Sequence, residues 1–600
     1  MYKLIFWLLF LVITAGASAQ RGTNTSEMTP MELKQQRFED SMQKKRDEFE
    51  RNFSTTEYFR KLKEIKLKND SIQLNETLAY FESIEPFADT FTHLTIQSSA
   101  LSVFPGSVRK FKNLKILTLR RCQSVHLEAL FEQLKDLPLL TELQILYSEK
   151  TALPNNISLL RRLKVLDLNG NKLNELPEGL ARMPSLEFIN LHNNPYIDLD
   201  NAAKILSKLS SLKKVKISGC KLVNLGENLA QLSQIEVLDL SHNSVEALPT
   251  NLGTMVKLKV IDLAKNSKLN SRQIFSTLSS IPNLEELDLS DCNLSELGAE
   301  IGTMTRLKKL ILTNNPIKKV QTEIGNLTLL EELYLGAGIS HKEVSPLAEL
   351  PTSIGNCKNL RKLDLRMCQL TSLPASFSQL SNLSYIDLSW NKFTVFPSVF
   401  RSIPSVNYLD LSYNKINEFP SDIGLLAMSL ETLMLEANFY APYTEKINKI
   451  PPSLARCKNL KKLSLKDQVY EILPDRFWFD LAKLEDLNLM GALLQEIPES
   501  IENLIELRSL NIKSNEIKRI AGSIAKLTKL ENFNISHNPE INATELLASI
   551  QAMKQLKFVD LSYNDIKREL LEPIAAQMPQ TKFMKLETKD SPTYENPKRR

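Results

Sequence analysis

The sequence predicts an α/β solenoid, curved like a horseshoe, in which about 20 short repeats each give one strand to a parallel sheet on the concave side, with a short helical cap at the N-terminal end. Two observations predict it. From Leu114 onward the pattern L-x-x-L-x-L-x-x-N recurs, often followed by an apolar residue and L-P-x-x-I-x-x-L. Glycine is also scarce, 17 of 600 residues, against an average of about 7%, although a chain of short repeats must turn often. The recurrent Asn is placed to make those turns. Length alone suggests about four globular domains, and the periodicity replaces them with one elongated array.

The pattern runs through Leu163 to Asn171, Ile235 to Asn243, Leu383 to Asn391, Val406 to Asn414, Leu507 to Asn515 and Leu556 to Asn564. L-x-L alternation sets leucines on one face of a short strand and variable residues on the other. The Asn side chain bonds neighbouring backbone and turns the chain. One such unit cannot bury its own leucines, so the units stack. The second strand position falls at Leu143, Leu166, Ile189, Val215, Leu238, Ile261 and Leu287, spacings of 23, 23, 26, 23, 23 and 26 residues. The longer units carry helical apolar patterns with N-cap candidates over Asp200 to Leu206, Ser271 to Leu278 and Thr544 to Ile550, which predicts helices on the outer side. The pattern resembles the leucine-rich repeat family over about residues 90 to 586. Its 23-residue members are similar to the repeats of plant disease-resistance and Ras-suppressor-type proteins. That resemblance implies the solenoid fold and binding through variable strand positions and edge loops; it transfers no partner.

Residues 1–19 read as a signal peptide: Lys3 is a short positive region, Leu4 to Ile13 is apolar, and Ala17-Ser18-Ala19 suits cleavage before Gln20. Residues 20–88 form a charged segment. In it Thr29-Pro30-Met31-Glu32 matches a helix start, and Phe38, Met42, Phe49 and Phe53 share one helical stripe. A helical cap or spacer is expected there, and the solenoid then fills residues 89–587. Residues 588–600 are polar and are expected to be a disordered tail. The cysteine-rich end caps of secreted animal members of the family are missing, which points to a bacterial exported protein, periplasmic, cell-surface or secreted.

Charge excludes one function class. Lys plus Arg is 75 and Asp plus Glu is 70, a net +5 over 600 residues, so no nucleic-acid partner is expected. Six cysteines in an exported chain raise the question of disulfides. Cys122, Cys220, Cys292 and Cys368 stand where the repeat has Asn, and Cys357 and Cys457 lie in matching segments. All six are expected to be buried free thiols. The histidines are too scattered for a zinc site, and there is no phosphate loop, G-x-S-x-G elbow or H-E-x-x-H helix. No catalytic residue, cofactor or metal is assigned. Asp239, Asp262, Asp288, Asp364, Asp387 and Asp410 share one strand position, and the L-D-L triplet is common in the family, so these carboxylates read as repeat background rather than acid/base pairs.

The variable positions turn aromatic in the middle of the chain: Tyr334, then Tyr385 and Trp390, then Tyr408 and Tyr413, with Lys362 and Arg366 in the repeat between. Tyr, Trp and Arg dominate interface energies. Two insertions bracket them, because Leu335 to Pro351 and Leu435 to Pro451 each take 16 steps where Leu365 to Pro374 takes 9. Insertions in solenoids map to binding faces, and the second adds Phe439, Tyr440 and Tyr443. The expectation is a non-enzymatic recognition or scaffold protein that binds a protein or peptide in a groove across Lys362 to Tyr443. A surface adhesin or envelope component binding carbohydrate or matrix is the alternative, and an enzyme the least favoured reading.

Overall fold

The computed structural model describes residues 88, 90–97, 102–338, 345–416, 429–438, 454, 456–468 and 479–584. The leader, all of the expected helical cap but Ala88, Phe439, Tyr440, Tyr443 and the tail 588–600 lie outside them. Contacts divide the chain into two units, Met1–Lys221 and Leu222–Arg600.

In the first unit, strands His93–Gln97, Ile116–Arg120, Glu142–Leu146, Val165–Asp167, Phe188–Asn190 and Lys214–Lys216 pair in parallel and in chain order. Leu143 sits abreast of Leu166, and Leu166 of Ile189. The second unit repeats the arrangement from Val237–Asp239 to Lys582–Phe583. Strands Lys309–Ile311, Glu332–Tyr334, Lys362–Asp364, Tyr385–Asp387, Tyr408–Asp410 and Thr432–Met434 follow one another in strict parallel register. This is the predicted solenoid: each strand buries its middle residue, as at Leu333, Leu363, Ile386, Leu409 and Leu433. Full burial of such a side chain contributes about 2 kcal/mol, repeated at every turn of the chain.

The turn after each strand is made by the Asn. Asn391 donates to the carbonyls of Leu365 (2.8 Å) and Leu388 (2.9 Å), and its Oδ1 accepts from the backbone N–H groups of Cys368 (3.2 Å) and Leu370 (2.9 Å). One side chain thus satisfies backbone groups of two repeats. Cys replaces it where predicted. The Cys220 thiol donates to the Leu191 carbonyl at 3.2 Å and the Cys292 thiol to that of Leu263 at 3.2 Å. All six cysteines are free and buried, and burial pushes the Cys292, Cys357 and Cys457 thiols up to about 12.

The residue before the Asn or Cys is left-handed along most of both units, for example Asn193, His242, Met367, Trp390, Tyr413 and Ser514. Among the described residues a left-handed glycine holds the equivalent position only at Gly170, Gly219 and, before Ala492, Gly491. The scarcity of glycine therefore has a second part that the Asn does not supply: the chain accepts the backbone cost of a positive φ with side chains attached.

Short repeats return along the outer side through 3-10 turns that begin after Pro, as at Thr352–Asn356 and Ala375–Gln379. The longer ones use helices, as predicted, over Leu199–Leu206, Ser271–Leu278 and Ala543–Ala552, capped by Asp198, Asn270 and Asn542. Two further helices, Leu127–Leu134 and Arg568–Ala576, escaped the pattern because His126 makes no side-chain cap bond and Pro573 lies inside the second. No helix among the described residues is long and apolar enough to cross a membrane.

Candidate functional site

All the described aromatic candidates lie in the second unit, with Tyr334, Tyr385 and Tyr408 on the strands and flanking their buried middle residues. Strand register decides which of them meet. Tyr385 is abreast of Tyr408, and their rings stack at 4.3 Å and 13°. Lys362, abreast of Tyr385 on the other side, holds its ammonium 5.6 Å from the Tyr385 ring centroid, within cation–π range. Trp390 and Tyr413 are not strand residues: each follows its strand by three positions, in the turn, with φ of 56°. Their rings also stack, at 4.1 Å and 9°. Trp390 remains 39% exposed, enough to offer one face to a partner.

Between the two ring pairs runs a row of carboxylates, Asp364, Asp387 and Asp410, mutually abreast. Arg366 forks over the first two. Its Nη2 reaches Asp364 at 2.7 Å and its Nε reaches Asp387 at 3.2 Å. Asp387, 4% exposed, also accepts from the Ser389 hydroxyl (2.6 Å) and backbone N–H (2.9 Å). Burial, reinforced by the Asp410 charge, pushes the Asp387 carboxyl up to about 7. Arg366 opposes this, but its shortest bond goes to Asp364 and only one nitrogen turns to Asp387, so desolvation wins. Burial raises Asp410 as well, and it raises the Tyr385 and Tyr408 phenols, keeping them neutral. Holding the turn is common to the repeat, since Asp239, Asp262, Asp288 and Asp560 accept the same bond; the Arg366 fork is what distinguishes this row.

Tyr334 stands apart from both stacks. It is abreast of Asp364, donates its hydroxyl to Glu332 at 2.8 Å and has Lys309 at 6.0 Å from its ring. The structure therefore gathers Lys362, Arg366, Tyr385, Trp390, Tyr408 and Tyr413 on three adjacent strands and their turns, with Tyr334 one strand away.

The same repeat that builds this surface is what the comparisons recognise. The model of a leucine-rich repeat region matches residues 93–242 and 402–557, and two other leucine-rich repeat models match 282–323 and 359–380. The chain is a leucine-rich repeat protein. No curated protein matches it. Among solved structures, TLR13 in its complex with ssRNA13 is 20% identical at a TM-score of 0.54, over 84% of this chain and 79% of that one, and shows the same fold. A leucine-rich repeat protein of Leptospira interrogans is 22% identical over 84% of this chain and 98% of that one, with a TM-score of 0.41. The Arabidopsis receptor kinase HAESA, in complex with the peptide hormone IDA and the co-receptor SERK1, is 21% identical over 83% and 78%, with a TM-score of 0.46.

Two features of this leucine-rich repeat surface were missed in the sequence. Gly336 occupies the position of Arg366, Ser389 and Ser412 in neighbouring repeats. A Cβ there would meet the Asp364 carboxylate and lie 2.9 Å from the Arg366 nitrogen, so the glycine makes room for the Arg366–Asp364 pair. Its signal was a glycine where the following repeats carry side chains. The second feature is the residue after the first leucine of each repeat. It alternates in sign as Glu236, Lys259, Glu285, Lys308, Glu331 and Arg361, and again as Glu431, Lys461, Glu485, Arg508, Glu531 and Lys557. Between the two series stand Ser384 and Asn407, in the repeats that carry the ring stacks.

Proposed function

We propose that the protein is an exported, non-enzymatic recognition protein that binds a protein or peptide through the concave face of its second unit, across Lys362 to Tyr443. The observation that carries the reading is the pair of ring stacks, Tyr385–Tyr408 and Trp390–Tyr413. Trp390 and Tyr413 stand at left-handed positions, where a side chain costs about 1–2 kcal/mol, a cost that Gly170, Gly219 and Gly491 avoid in other repeats. Keeping large rings against that cost, partly exposed and beside an arginine, suits a surface selected for contact. Export rests on the positive, apolar and small-residue order of residues 1–19. The row of carboxylates disfavours a polyanionic ligand such as nucleic acid.

The experiment is affinity capture from the native host with residues 20–600, followed by titration of the retained protein against Trp390→Gly and Tyr385→Ala. We expect each substitution to weaken binding at least tenfold, the loss of about 1.4 kcal/mol. Undiminished affinity in both variants would remove the reading.

A further inference from the structure

The charges flanking the surface alternate in sign from repeat to repeat elsewhere in the second unit, a ladder in which some neighbours close into ion pairs. Lys259 pairs with Glu236 at 2.8 Å, Lys308 with Glu285 at 2.7 Å, Lys461 with Glu431 at 3.0 Å, and Lys557 with Glu531 at 2.8 Å. Arg508 bridges Glu485 and Glu531 at 3.6 and 3.8 Å. Neighbouring members are held abreast by the backbone: the carbonyl of Arg361 accepts from Ser384, that of Ser384 from Asn407, and that of Asn407 from Glu431. At the rim of the two repeats that carry the ring stacks the alternation stops, because Ser384 and Asn407 bring no charge. A ligand crossing that rim has no ion pair to break and no charge to desolvate.

Following either strand inward from this neutral rim meets, in order, a ring, a carboxylate, a serine and a second ring: Tyr385, Asp387, Ser389 and Trp390, then Tyr408, Asp410, Ser412 and Tyr413. The feature thus runs along the strands and is two repeats wide, a direction at right angles to the axis of the solenoid. Its charges are unequal. Arg366 lies at ion-pair distance from Asp364 and Asp387. Asp410 accepts from the backbone N–H of Ser412 at 2.8 Å and has no cation at ion-pair distance among the described residues. A largely buried carboxylate is costly until a cation or a proton meets it, and aromatic rings on both sides attract a cation to the same place.

We propose that these two repeats form a slot across the sheet for an extended peptide segment of a protein partner, entered over Ser384 and Asn407, in which one lysine or arginine side chain of the peptide pairs with Asp410 between the two ring stacks. This rests on the protein-binding reading and adds to it the direction of the ligand and the chemistry of its central side chain. The rings hold the apolar parts of the segment, Asp410 selects the cation, and Arg366 next to it repels a cation placed one repeat too early.

The test is selection from a phage-displayed library of random dodecapeptides on residues 20–600. Recovered clones should carry lysine or arginine at one position flanked by apolar residues. Their binding should fall at least tenfold on Asp410→Asn, which keeps the acceptor for the Ser412 N–H, and on Trp390→Gly. It should also fall on Ser384→Glu with Asn407→Lys, which restores the ladder across the entrance. Unchanged hydrogen exchange in strand Thr432–Met434 confirms that each variant is folded. Clones that need Trp390 but show no basic residue and ignore Asp410→Asn overturn the cation slot and leave the recognition surface standing. Clones indifferent to Trp390, or no enrichment at all, count against both.

Discussion

The indole of Trp390 lies parallel to the Tyr413 ring at 4.1 Å, although both residues occupy left-handed backbone positions. The stack is set by the repeat itself. Each residue precedes a turn-forming Asn, Asn391 or Asn414, whose amide bonds the Leu388 carbonyl from its own or the next repeat. Two rings placed at equivalent points of consecutive repeats are thereby brought to the spacing of neighbouring strands, about 4.8 Å.

The conformational cost and the stacking gain at Trp390 can be separated by substitution. Trp390→Ala loses the stack, about 0.5–1.5 kcal/mol, and keeps a Cβ at positive φ. Trp390→Gly loses the same stack but relieves a backbone cost of about 1 kcal/mol. Glycine should be the more stable replacement, read as greater hydrogen-exchange protection in strands Tyr385–Asp387 and Tyr408–Asp410. Greater protection in the alanine variant would contradict the account of the turn.

The Asn391 side chain makes five hydrogen bonds to backbone of two repeats. Replacement by Ala should cost about 2–4 kcal/mol, since each lost bond is worth about 1 kcal/mol and leaves buried groups unpaired. Asn391→Cys should cost less than Ala, because Cys220 and Cys292 already reach the equivalent carbonyl. Urea denaturation of the three proteins gives the order, and an alanine variant as stable as the cysteine variant would refute it.

Gly336→Ala places a methyl group against Asp364 and the backbone of Arg366. The Arg366–Asp364 bond should be lost and stability should fall by about 1–3 kcal/mol, as for other overpacked sites. Thermal unfolding measures the loss. A change no larger than that of an Ala placed at the open Gly106 or Gly522 would show that the close approach is unimportant.

Asp387 makes stability depend on pH. Its carboxyl is raised to about 7 in the folded protein, against about 3.9 in an unfolded chain. The folded state therefore holds more protons between these values, and stability should fall as pH rises from about 4 to about 7. The groups facing it are Asp364, Arg366, Tyr385, Tyr408, Asp410 and Ser389. From pH 5 to pH 8 the melting temperature of the wild type should drop further than that of Asp387→Asn. Equal drops would assign the dependence to other groups.

The stacking order of the repeats, the buried leucines, the Asn turns and the Cys replacements were all legible, because each is carried by one residue type at a constant spacing. The outer helices at Leu199–Leu206 and Ser271–Leu278 were legible from their caps, whereas Arg568–Ala576 was hidden by Pro573. Of the candidate site, the residues were visible and their arrangement was not. Which rings stack depends on strand register between residues 23 positions apart, Tyr385 with Tyr408 and Trp390 with Tyr413. The setting of Asp387 was hidden for the same reason. Its desolvation and its Arg366 partner come from the next strands, and the L-D-L triplet that recurs elsewhere carries no sign of them.

The central claim is that partners bind on the face bearing Tyr408 and not on the outer side. Photo-crosslinking in the native host tests it most directly, with p-benzoyl-phenylalanine placed at Tyr408 in one protein and at Gln379, exposed on an outer 3-10 turn, in another. Adducts to a distinct partner from position 408 and none from position 379 are the predicted result. Adducts from position 379 alone, or equally from both, would contradict the claim.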